Sequence, residues 1–204
     1  MDKLVVSEIL DQIVQTKWTV EPHGSINISI DLSEPIIHND FFYWRLDDPR
    51  GRYLLSMDIS EDGYLKVIEI VAYDHRITSI PALRKNTDVI RKEGLIRIDT
   101  SVWRSRKQTW LENTENSKNM RSPHFSNNYK FIDNAERFCL QMDESDFRIE
   151  LLQDTVVQEV YVSKSVCLDI NNMNEICGII LKNFLGQDRE TLFRNFGTKF
   201  GRFG

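Results

Sequence analysis

The sequence predicts an α+β fold built mainly from antiparallel hairpins. Three observations carry this. Residues 26–32, INISIDL, alternate strictly between apolar and polar, as a strand with one buried face requires. Residues 41–73 hold three β-rich runs separated by Asp47-Asp48-Pro49-Arg50-Gly51 and Ser60-Glu61-Asp62-Gly63, which is turn chemistry. From Phe138 onward the alternation returns in Phe147/Ile149/Leu151, Val160/Val162 and Val166/Leu168/Ile170, followed by the apolar run 176–182.

Taken in order, residues 3–18 place Val6, Ile9, Leu10, Ile13 and Val14 on one helical stripe, with Asp2 as the cap, so an N-terminal helix is expected. The aromatic run FFYWRL, Tyr53–Ile59 and Leu65–Tyr73 then form a three-stranded meander. Its second turn contains Asp62-Gly63, a strong hairpin signal. Ser79 caps a short helix over 80–93, with Pro81 in its first turn and Gly94 past its end. Leu95–Val102 reads as a strand. Residues 103–130 are polar and basic, a long loop or a loosely amphipathic helix. The C-terminal piece is amphipathic, with Asp188 as cap and Leu192, Phe196 and Phe200 spaced by four.

The 204 residues suit one domain, 1–204. An alternative division has related halves, 1–80 and 131–185, joined by the basic segment 81–130. The alternative rests on a gapless alignment of Met57–Val71 with Leu168–Lys182, in which Asp58 meets Asp169, Ile59 meets Ile170 and Ile68 meets Ile179.

Charge is uneven. The net value is −5, with −7 over residues 1–80, +6 over 81–130, −6 over 131–185 and +2 over the remainder. Acidic blocks disfavour nucleic acid and favour a basic partner. Three acidic turns are the candidate partner-binding residues: Asp47 and Asp48, Glu61 and Asp62, and Asp143, Glu144 and Asp146. Solvated turns also select Asp for its backbone hydrogen bonds.

Chemistry-bearing motifs are scarce. Asp58, Ser60, Asp62, Gly63, Leu65 and Glu69 match a calcium-loop pattern, but its setting is a hairpin rather than two helices, so the pattern reads as an acidic turn. His23, His38, His75 and His124 have no ligand spacing, and no phosphate loop, dinucleotide fingerprint or nucleophile elbow occurs. No catalytic residue, metal or cofactor is therefore assigned. Cys139, Cys167 and Cys177 are odd in number and sit in apolar surroundings, as reduced thiols of a cytoplasmic protein do. No apolar run approaches the about 18–20 residues of a membrane helix, and the acidic start is not a signal peptide.

The acidic strand–turn–strand units at 53–71 and 164–183, with no catalytic signature, make the chain resemble bacterial immunity proteins of polymorphic-toxin and contact-dependent inhibition systems. The resemblance implies a small cytoplasmic α+β inhibitor. Such a protein covers the active site, or an adjacent surface, of a cognate toxin. Leu168-Asp169-Ile170 with Gly178-Ile179-Ile180 also resembles a short bacterial domain of uncharacterised function, which implies fold alone. Two other functions fit the residues. One is a self-associating assembly module working through strand edges or the Phe-rich tail. The other is single-stranded nucleic-acid contact through 84–130, where Arg and Lys interleave with aromatics.

Overall fold

The computed structural model describes residues 2–21, 26–31, 41–47, 53–72, 88–116, 131–134, 138–152 and 154–196. Within them lie fourteen strands and two helices, so the fold is α+β with strand dominant.

The first sheet contains β2 (Gln15–Val20), β3 (Ile26–Asp31), β4 (Phe41–Asp47), β5 (Tyr53–Ser60), β6 (Leu65–Ala72) and β9 (Phe131–Asn134), in the order β2-β3-β6-β5-β4-β9. The second contains β7 (Ile90–Glu93), β10 (Cys139–Met142), β11 (Phe147–Glu150), β12 (Val156–Tyr161), β13 (Val166–Asn171) and β14 (Ile176–Leu181), in the order β10-β11-β14-β13-β12-β7. Each sheet is antiparallel except at its last pair, β4–β9 and β12–β7, which are parallel. The same plan therefore occurs twice.

The registers agree as well. Asp58 faces Val67 and Ile59 faces Leu65; Asp169 faces Gly178 and Ile170 faces Ile176. Both hairpins carry a bulge at the same point, between Asp58 and Ile59 and between Asp169 and Ile170. Their turns close alike. The Tyr64 amide donates to Ser60 Oγ (3.0 Å), and the Glu175 amide donates to Asn171 Oδ1 (2.9 Å). Gly63 (φ 92°) and Asn174 (φ 59°) occupy the matching left-handed position, which glycine and asparagine tolerate best. These are the columns that the sequence alignment of 57–71 with 168–182 brings together.

A two-stranded ribbon of β1 (Val6–Leu10) and β8 (Leu95–Ile98) lies between the two hairpin turns. The Ile98 amide donates to Gly63 O (2.8 Å) at the first turn, and the Val6 amide donates to Asn174 O (2.7 Å) at the second. A Cβ on Gly63 would stand 2.1 Å from Ile98 O, so this close approach requires glycine.

One apolar cluster unites the parts. It takes Trp44, Leu55 and Ile68 from the first sheet, Phe147, Leu168 and Ile179 from the second, and Val6, Ile96 and Ile98 from the ribbon. Phe184 sits between Phe147 and Trp18, with ring centres 5.2 and 6.5 Å away. Helix α1 (Ser101–Asn116) docks through buried Trp103 on Phe42, edge to face at 5.6 Å. Helix α2 (Gly186–Phe196) buries Leu192.

Five expectations are corrected. The N-terminal helix is absent; β1 and β2 take its place. Its stripe is rich in β-branched residues, which suit strands, and Ile13 is left 61% exposed between them. Asp2 caps nothing: its carboxylate clamps Arg106 through two bonds of 2.8 and 2.9 Å. Of the helix expected over 80–93, residues 80–87 lie outside the described residues, while 90–93 form β7. The strand expected over 95–102 stops at Ile98, and Val102 belongs to α1. Asp188 lies inside the first turn of α2, where it accepts the Trp18 indole N–H at 3.2 Å.

Candidate functional site

In the acidic turns, the carboxylates of Glu61, Asp143 and Asp146 are engaged locally, while Asp62 and Glu144 take part through their backbone carbonyls. Glu61 pairs with Lys107, and its carbonyl accepts Thr100 Oγ1 at 2.6 Å. The Asp62 carbonyl accepts Arg97 Nε at 2.7 Å. Asp143 Oδ1 accepts the amides of Ser145 and Asp146 (2.8 and 2.7 Å), and Asp146 pairs with Lys182 at 3.0 Å. Glu144 is exposed, and its carbonyl accepts Arg189. Asp47 ends β4, and Asp48 lies outside the described residues.

The two described acidic groups do not converge. Glu61 and Asp62 adjoin the ribbon, whose β1 touches the turn that opens β14. Asp143, Glu144 and Asp146 adjoin Lys182 and Asn183, past the other end of β14.

An open cleft of about 500 Å³ lies beside the ribbon, lined by Ser7, Glu8, Asp62, Arg97, Asp99 and Arg104 among others. Three of its charges, Glu8, Arg97 and Asp99, are engaged locally. Arg97 is 3.6 Å from Glu8 and lies over the Tyr64 ring at 5.6 Å. Asp99 accepts the Ser101 amide at the start of α1, and its bonds from Ser101 hold its carboxyl below the ordinary range.

The Asp58 face of the first sheet differs in that its described side chains are half-buried. Side chains alternate along each strand, so the facing pairs Asp58–Val67 and Ser56–Glu69 lie on one face. Tyr43 and Arg45 continue these rows on β4, and Asn27 continues the second on β3. Arg45 is clamped by Asp133 at 2.5 and 2.9 Å. Asp58 and Glu69 are diagonal neighbours, half-buried, and neither is in an ion pair among the described residues. Burial, and then the Glu69 charge, raise the Asp58 carboxyl above its ordinary value.

The matching face of the second sheet is closed. Gln141, Arg148, Glu159 and Asp169 are buried on it. Arg148 crosses Gly178 to stand 2.8 Å from Asp169 Oδ2, an ion pair whose angle falls short of a good hydrogen bond. A Cβ on Gly178 would meet Asp169 Oδ2 at 2.9 Å and Arg148 Nε at 3.1 Å, so glycine makes the crossing possible. Glu159 is held by Arg91 (3.2 Å) and the Tyr161 hydroxyl (3.1 Å). Burial raises Asp169 to about 6 even with Arg148 beside it.

The two buried cysteines of the second sheet are not activated. Burial pushes the Cys167 thiol up and the Cys177 thiol to about 12, far from a thiolate at neutral pH. All four histidines lie outside the described residues. Among the described residues, no three His, Cys, Asp or Glu side chains gather as a metal site would need. The calcium-loop residues are split between roles: Ser60 is buried as the turn cap, and only Asp58 and Glu69 come side by side.

Sequence reasoning thus singled out Asp58 and Glu69 for a loop rather than for a sheet face. The signal for the face was present, because a tight hairpin brings residues eleven apart next to each other. No helix among the described residues is long and apolar enough to cross a membrane. No protein-family model matches the chain, and no curated protein matches it.

Proposed function

We propose that the chain is a non-enzymatic binding protein, an immunity-type inhibitor that occludes a basic toxin domain, acting in the cytoplasm. The observation that carries this reading is the pair Asp58 and Glu69, two half-buried carboxylates without an ion-pair partner among the described residues. Glu61 and Asp146 of the turns, by contrast, are each paired with a lysine. Burial first, and the Glu69 charge second, raise Asp58; a cation brought by a partner would oppose both by stabilising the charged form. The mechanism is steric cover with electrostatic steering. The exposed turn acids, Glu144 among them, contribute to the long-range field, while the sheet face supplies the short-range contact. Three free cysteines agree with a reducing compartment.

The test pairs the protein with the basic domain encoded by the adjacent reading frame. Stoichiometric inhibition is expected, and D58N/E69Q should weaken it by tenfold or more, since loss of one side of a desolvated charge pair costs about 2–5 kcal/mol. An adjacent frame encoding no basic domain counts against the reading. So does undiminished inhibition by the double variant.

A further inference from the structure

The two sheets can be read against each other, residue by residue. With Asp58 set on Asp169, the facing pairs place Val67 on Gly178, Glu69 on Ile180, Asn27 on Arg148 and Tyr43 on Glu159. In the second sheet the carboxylate is met from within the chain: the Arg148 guanidinium reaches it diagonally across Gly178. In the first sheet every part of that arrangement is changed. Asn27 stands where the arginine would be, Val67 fills the crossing, and Glu69 adds a second carboxylate. The carboxylate stays at its matching position, and among the described residues no cation pairs with it. That position is half-buried, which suits a weakly hydrated planar cation better than a strongly hydrated ammonium.

We infer that the Asp58–Glu69 face of the first sheet binds an arginine side chain of a protein partner, the guanidinium taking the role that Arg148 fills for Asp169. This rests on the proposed binding function and narrows it to one partner group. Asp58 accepts the guanidinium from the side opposite the core, Glu69 accepts a second N–H from it, and Tyr43 flanks the contact. A lysine ammonium offers no planar fork for two carboxylates on neighbouring strands.

The test uses the full-length protein and two short peptides of equal charge, one of alternating glycine and arginine, the other of alternating glycine and lysine. Binding is followed calorimetrically at low salt. The arginine peptide should bind about tenfold more tightly than the lysine peptide. D58N, which preserves shape, should abolish that preference. N27R/V67G rebuilds the arrangement of the second sheet around Asp58, and it should occlude the face and lose the arginine peptide. Equal binding of both peptides, binding of neither, or an arginine preference that survives D58N would overturn the inference. Should D58N/E69Q still weaken inhibition of the basic partner in that event, the binding function stands and only its arginine specificity falls.

Discussion

At the scale of single residues, the most informative side chains are charges within strands. Arg148 and Asp169 are buried together, and the gain from pairing is set against the cost of removing both from water. Arg148→Ala strands the Asp169 charge and should lower unfolding free energy by about 3–5 kcal/mol in urea denaturation, whereas R148M/D169L should be neutral or stabilising. A double variant as unstable as the single one would contradict this. The pair also fixes a pH dependence. Because Asp169 is raised to about 6, the folded chain keeps a proton that the unfolded chain has released. The stability tied to this group is full below the ordinary value of 3.8 and is lost as pH climbs through about 6. Thermal melts of the wild type should therefore show a downward component of stability over that window, and D169N should lack it. Neither Arg148 nor Asp169 could be placed from sequence. A charge in a run such as CLDIN or FRIE signals a polar face, and nothing local reveals that the face is closed.

At the scale of elements, what was legible had a local cause. The hairpin at 53–72 was readable because Asp62-Gly63 specifies the turn and the flanking runs alternate. The N-terminal residues misled because Val6, Ile9, Leu10, Ile13 and Val14 fit a helical stripe as well as two short strands. Pairing of β1 with β8, some ninety positions away, decided between them. The parallel pairs β4–β9 and β12–β7 join distant segments and left no periodic trace. Gly63 tests the element scale. Its positive φ and the 2.1 Å approach to Ile98 O mean that Gly63→Ala strains the turn and pushes the ribbon away. Its cost should exceed that of Gly186→Ala, where φ is also positive (63°) but no atom lies within 4 Å of the added Cβ; there about 1–2 kcal/mol is expected. Equal costs in denaturant unfolding would show that the docking of Ile98 contributes nothing.

At the scale of the whole molecule, the ribbon ties the two sheets together. β1 contacts the turn of the second hairpin, β8 contacts the turn of the first, and the apolar cluster runs through all three. The chain should unfold in one cooperative transition, with tryptophan fluorescence and far-ultraviolet circular dichroism coincident. Two separated transitions would mean that the sheets stand independently. The repeat was partly visible as the alignment of two hairpins. Its consequence was not, because it depends on what fills matching positions: an internal ion pair on one sheet, and on the other two carboxylates without an ion pair among the described residues. That contrast underlies the functional reading. The most direct test follows the Asp58 side-chain carboxyl by NMR through a pH titration, free and with the basic partner bound. Free, it should titrate above the ordinary aspartate value; in the complex the midpoint should fall well below it, as a cation closes on the carboxylate. An unchanged midpoint in a formed complex would place the contact elsewhere and contradict the account.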